Sequence, residues 1–142
     1  MLFRSVFRPS SGLLGVWYST WQPTAVQDWD WVTEKVEIKR SLTWGIRIQN
    51  KDNSKQFRWA GKARLIDNTY LVGEWKSLNP GSNAEGVFAL TFTTDGDSLI
   101  GYFLTRDLDR HKYSSGFILG RNELGMKAAK RKWLRLKLRY RE

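Results

Sequence analysis

Thr69 to Arg121, TYLVGEWKSLNPGSNAEGVFALTFTTDGDSLIGYFLTRDLDRHKYSSGFILGR, is the stretch whose reading decides the fold. Its glycines Gly73, Gly86, Gly101 and Gly116 stand 13, 15 and 15 residues apart, the length of one strand plus one turn. Each is followed two positions later by a large apolar side chain: Trp75, Phe88, Phe103 and Ile118. In a strand, residues i and i+2 share a face, so glycine and bulk fall on the same side. A glycine inside a strand weakens it unless the chain bends sharply or another group approaches closely, as happens at the corners of a small barrel. The breaks carry turn chemistry: Asn79-Pro80-Gly81-Ser82-Asn83, Asp95-Gly96-Asp97 and Leu108-Asp109-Arg110.

Toward the N-terminus the same period near two continues. The pattern predicts strands over 13–21, 29–40, 43–50, 55–66, 69–77, 85–93, 98–106 and 112–121. Short connections favour neighbouring antiparallel strands, and a meander that closes on itself has no edge to protect. The expected fold is an all-β, eight-stranded antiparallel up-and-down barrel over 12–122, between a lead-in of 1–11 and a basic tail of 123–142. Strand parity proposes its lining: Trp17, Ser19 and Trp21; Val36, Ile38, Arg40 and Leu42; Trp44, Ile46 and Ile48; Phe57, Trp59, Gly61, Ala63 and Leu65; Leu71, Gly73 and Trp75. Arg58, Lys62 and Arg64 fall outside. Residues 99–105 are apolar on both faces and leave the parity of the later strands open.

The 142 residues carry 24 Lys and Arg against 14 Asp and Glu, a net charge of +10. That charge is a property of the ends. Residues 11–125 hold fourteen basic and thirteen acidic side chains, whereas 126–142 hold eight basic residues against Glu142. A basic terminal arm that finds phosphate or anionic lipid fits this distribution better than a nucleic-acid-binding body, which spreads cations over one face. Lys130, Arg131, Lys132, Arg135, Lys137 and Arg139 are the candidates for that contact. As a helix the tail places Met126, Ala129, Trp133, Leu136 and Tyr140 on one stripe; the alternation Leu134, Leu136, Leu138, Tyr140 reads instead as a strand. The Lys127–Lys132 run favours the helix.

No cysteine is present, which removes disulfides, thiolate metal sites and thiol nucleophiles together. A lone histidine, His111, leaves little general-base capacity near neutral pH. Paired carboxylates at Asp28/Asp30, Asp95/Asp97 and Asp107/Asp109 are too few for a calcium loop and read as turn residues. No phosphate-cradling glycine loop and no nucleophile elbow appears. The expectation is a protein that is not an enzyme, without cofactor or metal. No run reaches the roughly 18 apolar residues of a membrane span, so the location expected is cytoplasmic, with membrane association as the variant. Met1–Arg8 mixes Arg4 and Arg8 with bulky apolar groups, as a transit-peptide remnant, a stub after an upstream anchor or a plain lead-in strand would.

Gly15-Val16-Trp17 at the first strand resembles the Gly-x-Trp signature of the calycin barrels, the lipocalins and avidins among them, and Arg121 stands where those barrels send an arginine across that tryptophan. The resemblance covers 12–121 and implies a structural role for Trp17 and Arg121 in closing the barrel. The chain is similar, too, to the barrel sensor domain of bacterial cyclic-oligonucleotide antiphage membrane effectors, through Trp21, the run Val36-Glu37-Ile38 into Ile46-Arg47-Ile48, and the Leu99-Ile100-Gly101-Tyr102 series. That likeness implies a nucleotide-binding barrel in antiviral defence.

An eight-stranded barrel is just wide enough for packed side chains or one small ligand. Trp17, Trp44, Trp59 and Trp75 are therefore either core filling or an aromatic cup in which a planar ring stacks. Arg40 on the inward face asks for an anion, unless it snorkels to the rim. Arg106 and Tyr113 are further candidates. The leading expectation is a small-ligand sensor for an anionic aromatic molecule, a cyclic nucleotide in particular. The alternative is a solid structural barrel whose tail binds nucleic acid or an anionic membrane surface.

Overall fold

The computed structural model describes residues 12–22, 31–42, 45–51, 57–105 and 114–139, without the side chains of Ser114, Leu138 and Arg139. Eight strands close into one antiparallel barrel in chain order: β1 Gly15–Trp21, β2 Val32–Arg40, β3 Ile46–Asn50, β4 Trp59–Ile66, β5 Tyr70–Ser77, β6 Glu85–Phe92, β7 Ser98–Thr105 and β8 Ser114–Gly120. A helix, Glu123–Arg139, follows directly. All eight strands expected from the alternation are present within those bounds. The last closes on the first through Tyr18 opposite Gly120 and Trp21 opposite Phe117, so no edge is left unpaired.

The inward face is the core: Trp17, Val36, Ile38, Ile48, Leu71, Leu90, Leu99 and Leu119 are essentially inaccessible. Parity holds for most positions through β5, with Lys62 and Arg64 exposed outside; Arg58, expected on their face, precedes β4 and lines the mouth of the barrel instead. It fails at the end of β2, where Arg40 is the last strand residue and is exposed, and Leu42 beyond it is fully so. At four inward glycines the sheet coils so tightly that a Cβ would meet the neighbouring strand's backbone: Glu74 O at 2.6 Å for Gly61, and the carbonyls of Lys62, Leu104 and Ala89 for Gly73, Gly86 and Gly101. These are the barrel's corners.

Gly116 belongs to a different set. It faces outward, and a Cβ there would sit 2.5 Å from Trp31 and 3.0 Å from Trp133, while one at Gly120 would strike the backbone of Met126. The two glycines seat the helix. Met126, Ala129 and Trp133 bury against Ile100 and Ile118, with Tyr18, Trp31 and Leu136 around them. This second core lies outside the barrel and explains why 99–105 are apolar on both faces. Asn122 caps the helix, its Oδ1 accepting from Gly125 N at 2.7 Å. The tail is thus helical, and Leu134, one of the residues that mimic a strand, is exposed.

One end of the barrel is sealed. Gly15 at φ 120° turns the chain from Leu13 into β1, a conformation side chains rarely adopt. Trp17 donates its Nε1–H to Leu13 O at 2.7 Å. The Arg121 guanidinium lies 3.8 Å from the Trp17 ring centroid, with Nη1 3.4 Å from Leu14 O. Burial draws this guanidinium below its usual pKa, against an opposing pull from Asp97. A cation over an indole contributes about 0.5–2 kcal/mol. Accordingly Arg121→Met is expected to lower unfolding stability by about 1–2 kcal/mol in urea titration, whereas Lys62→Met on the exposed outer face shifts it by less than about 0.5 kcal/mol.

Candidate functional site

Among the described residues the other end is open, where β1, β3, β5 and β7 finish and β2, β4, β6 and β8 begin. A cavity of about 280 Å³ enters the barrel here. Its wall is aromatic: Trp21, Phe57, Trp59, Trp75, Phe88, Phe103 and Phe117, with Arg58, Ser77, Asn79, Ser82, Ala84 and Thr105 completing it. The rings meet edge to face. Trp21 contacts Phe57 at 5.0 Å and Phe103 at 5.8 Å between centroids, Trp75 contacts Phe103 at 5.8 Å, and Trp59 contacts Phe117 at 5.9 Å. Such geometry is favoured by the ring quadrupoles.

What holds the rings in this array is Glu34. It is 5% exposed, on the inward face of β2. Its Oε2 accepts from Trp21 Nε1 at 2.8 Å and from Trp59 Nε1 at 2.8 Å, and its Oε1 from Asn50 Nδ2 at 3.0 Å. Asn50 in turn donates to Phe57 O and accepts from Trp59 N at 3.1 Å. One carboxyl therefore ties β1, β2, β3 and β4 together and fixes two indoles of the wall. Hydrogen bonds to a charged acceptor are stronger than neutral ones, and leaving such donors buried and unpaired is costly. The sequence reading passed over Glu34 because its neighbours Thr33 and Lys35 mark a solvated strand. The usable signal was parity: Glu34 shares its face with Val36 and Ile38.

On the remaining wall, two polar atoms are buried without a partner, Trp75 Nε1 and Thr105 Oγ1. At the rim, Asn79 Oδ1 accepts from Arg58 N at 2.8 Å and Leu78 N donates to Arg58 O at 2.6 Å, pinning the 78–84 turn against the start of β4.

Of the candidate ligand residues, Trp59 and Trp75 line this cavity. Trp17 does not; it is in the sealed end. Arg40 is a correction: it closes β2 at the sealed end, at the opposite end of the barrel from the cavity, because the strand runs out before its inward parity can take effect. Trp44, Arg106 and Tyr113 lie outside the described residues. The helix cations divide. Lys130 lies 4.6 Å from the Trp31 centroid and Lys137 5.1 Å from Trp133, both on the docked side. Arg131, Lys132 and Arg135 are exposed, and the side chain of Arg139 is outside the described residues. Among the described residues no group of His, Cys, Asp or Glu is placed to hold a metal ion, and no helix is long and apolar enough to cross a membrane.

Among solved structures the chain is similar to a redesigned β-barrel, at 16% identity and a TM-score of 0.59, over 82% of this chain and 96% of that one. The likeness is one of fold. No protein-family profile matches the sequence, and no curated protein does.

Glu34→Gln tests the array. Replacing one acceptor oxygen with an amide NH₂ turns a donor toward the donors already there. Unfolding stability should fall by about 1–3 kcal/mol, and tryptophan emission should move to longer wavelength as Trp21 and Trp59 lose their anchor; unchanged stability and emission would show that the carboxyl does not organise the mouth.

Proposed function

We propose that the protein is a non-enzymatic binding or sensor barrel, calycin-like in family, that takes one compact planar aromatic ligand through its open end. The supporting observation is the cavity itself, walled by seven aromatic side chains. Its 280 Å³ falls just below the roughly 300–1,000 Å³ of most small-molecule sites, which favours a ligand of two or three fused rings. A nucleobase is such a group, with stacking worth about 1–3 kcal/mol per base. Arg58 is the one cation among the described residues of the wall. A cyclic nucleotide, the second messenger of an antiviral sensor, is the narrower form of this proposal: base inside, phosphate at Arg58. The size of the cavity favours one base over a cyclic oligonucleotide.

The test is fluorescence titration with the anionic dye 1-anilinonaphthalene-8-sulfonate, followed by displacement with 3′,5′-cyclic AMP. Saturable one-to-one binding is expected, and Ala84→Trp at the rim should weaken it at least tenfold while the barrel stays folded. Binding indifferent to Ala84→Trp would place the dye elsewhere and contradict the proposal.

A second reading rests on the helix, whose Arg131, Lys132 and Arg135 are exposed: attachment of the barrel to a polyanionic surface, nucleic acid or anionic lipid. Its signature is salt dependence, since each phosphate neutralised on duplex DNA adds about 0.9 to the slope of log affinity against log salt. Reversing the three charges (R131E, K132E, R135E) should abolish binding to duplex DNA or phosphatidylserine vesicles and leave the dye titration intact; equal binding by the reversed variant would remove this reading.

A further inference from the structure

The cavity's polar equipment is uneven. On the β1–β4 side every indole N–H is satisfied, Trp21 and Trp59 by Glu34. On the β5–β7 side Trp75 Nε1 and Thr105 Oγ1 are buried and have no partner. These two residues are not scattered. Trp75 pairs across the ladder with Gly86, and Gly86 pairs with Thr105, so the three form one row around the inner wall. A Cβ at Gly86 would stand 2.9 Å from Trp75 Nε1; the glycine gives the indole edge room to lie across the wall between its two neighbours. Buried polar side chains normally find a hydrogen-bond partner, and an orphan asks for an explanation. Of the four such orphans among the described residues, Ser19 Oγ and Trp133 Nε1 lie elsewhere, and these two belong to residues that line the cavity.

We infer that the row Trp75–Gly86–Thr105 is a recognition point for an uncharged hydrogen-bond acceptor on the inserted ring, a carbonyl oxygen or an unprotonated ring nitrogen. An indole N–H can only donate, whereas the threonine hydroxyl can donate or accept, so the pair suits an acceptor with a donor beside it, the edge that a heteroaromatic base or a lactam presents. A charged group is not what this point recognises. No cation lies in the row, and Arg58, the one cation among the described lining residues, is exposed and stands at the rim just before β4. An ion there would lose its hydration for two neutral donors. The inference rests on the binding reading above and adds to it a selection rule: between two rings of equal shape, the barrel distinguishes the one with an acceptor.

Quinoline, in its uncharged form, and naphthalene have nearly the same outline and differ in one ring nitrogen. Both are titrated by dye displacement against the full chain and against Trp75→Phe, which removes the N–H and keeps an aromatic wall. Quinoline should bind the variant about tenfold more weakly than the parent, and naphthalene should change by less than twofold. Thr105→Val, which keeps the branched shape, supplies a second comparison and should cost quinoline a few-fold; it carries the test if Trp75→Phe does not fold. Equal losses for the two probes, or none, would overturn the inference and leave the cavity standing as a plain apolar cup. Failure of the parent to bind either probe or the dye would overturn the binding reading, and the inference with it.

Discussion

A closed eight-stranded sheet has a single interior, and what fills each end of it governs the rest of this molecule. At one end Trp17 plugs the lumen, with Leu13 against it and the Arg121 guanidinium over its face. At the other the corresponding indoles, Trp21 and Trp59, are pulled to the wall by a shared carboxylate. Burying Glu34 without partners would cost several kcal/mol. Three N–H donors offset that cost, and in meeting it they hold open a space that collapsed aromatic side chains would otherwise occupy. Polar satisfaction, not apolar packing, is what makes this end a cup.

The outside of the barrel follows from a second requirement. β7, β8 and β1 carry apolar residues on both faces, and the helix supplies the missing cover through Met126, Ala129 and Trp133. Gly116 and Gly120 let it approach to backbone distance. Two of its lysines bury their stems along tryptophans and keep their charge in water, as long cationic side chains do. Lys127, Arg131, Lys132 and Arg135 are exposed. The high net charge therefore reports chiefly on the C-terminal helix, while the described residues of the cavity wall include one arginine.

Much of this was legible before any coordinates. Alternation and turn residues located all eight strands, because a barrel with one wet and one dry face writes period two into every stave. The reading lost its hold where that condition lapses. On the outer face of 99–105 the helix buries Ile100 and touches Tyr102, while Leu104 is exposed, so the outward apolar residues do not mark an inner face. Arg40 has no place in the cavity, since parity says nothing of where a strand stops. Glu34 was invisible as a site residue because charge in a strand normally means solvent, and only the convergence of two indoles and an asparagine, contributed by three other strands, overturns that reading. The Trp75–Gly86–Thr105 row is equally a product of register: the residues are 11 and 19 apart along the chain and adjacent only across the ladder.

The central claim is that the open end admits a ring and that the Trp75 indole greets it. Two-dimensional NMR of the tryptophan Nε1–H groups, with quinoline added to the ¹⁵N-labelled protein, tests this most directly. The account predicts a large downfield movement of the Trp75 resonance, smaller ring-current shifts at Trp21 and Trp59, and none at Trp17 or Trp133. A stationary Trp75 signal, or perturbation confined to Trp133 under the helix, would contradict it.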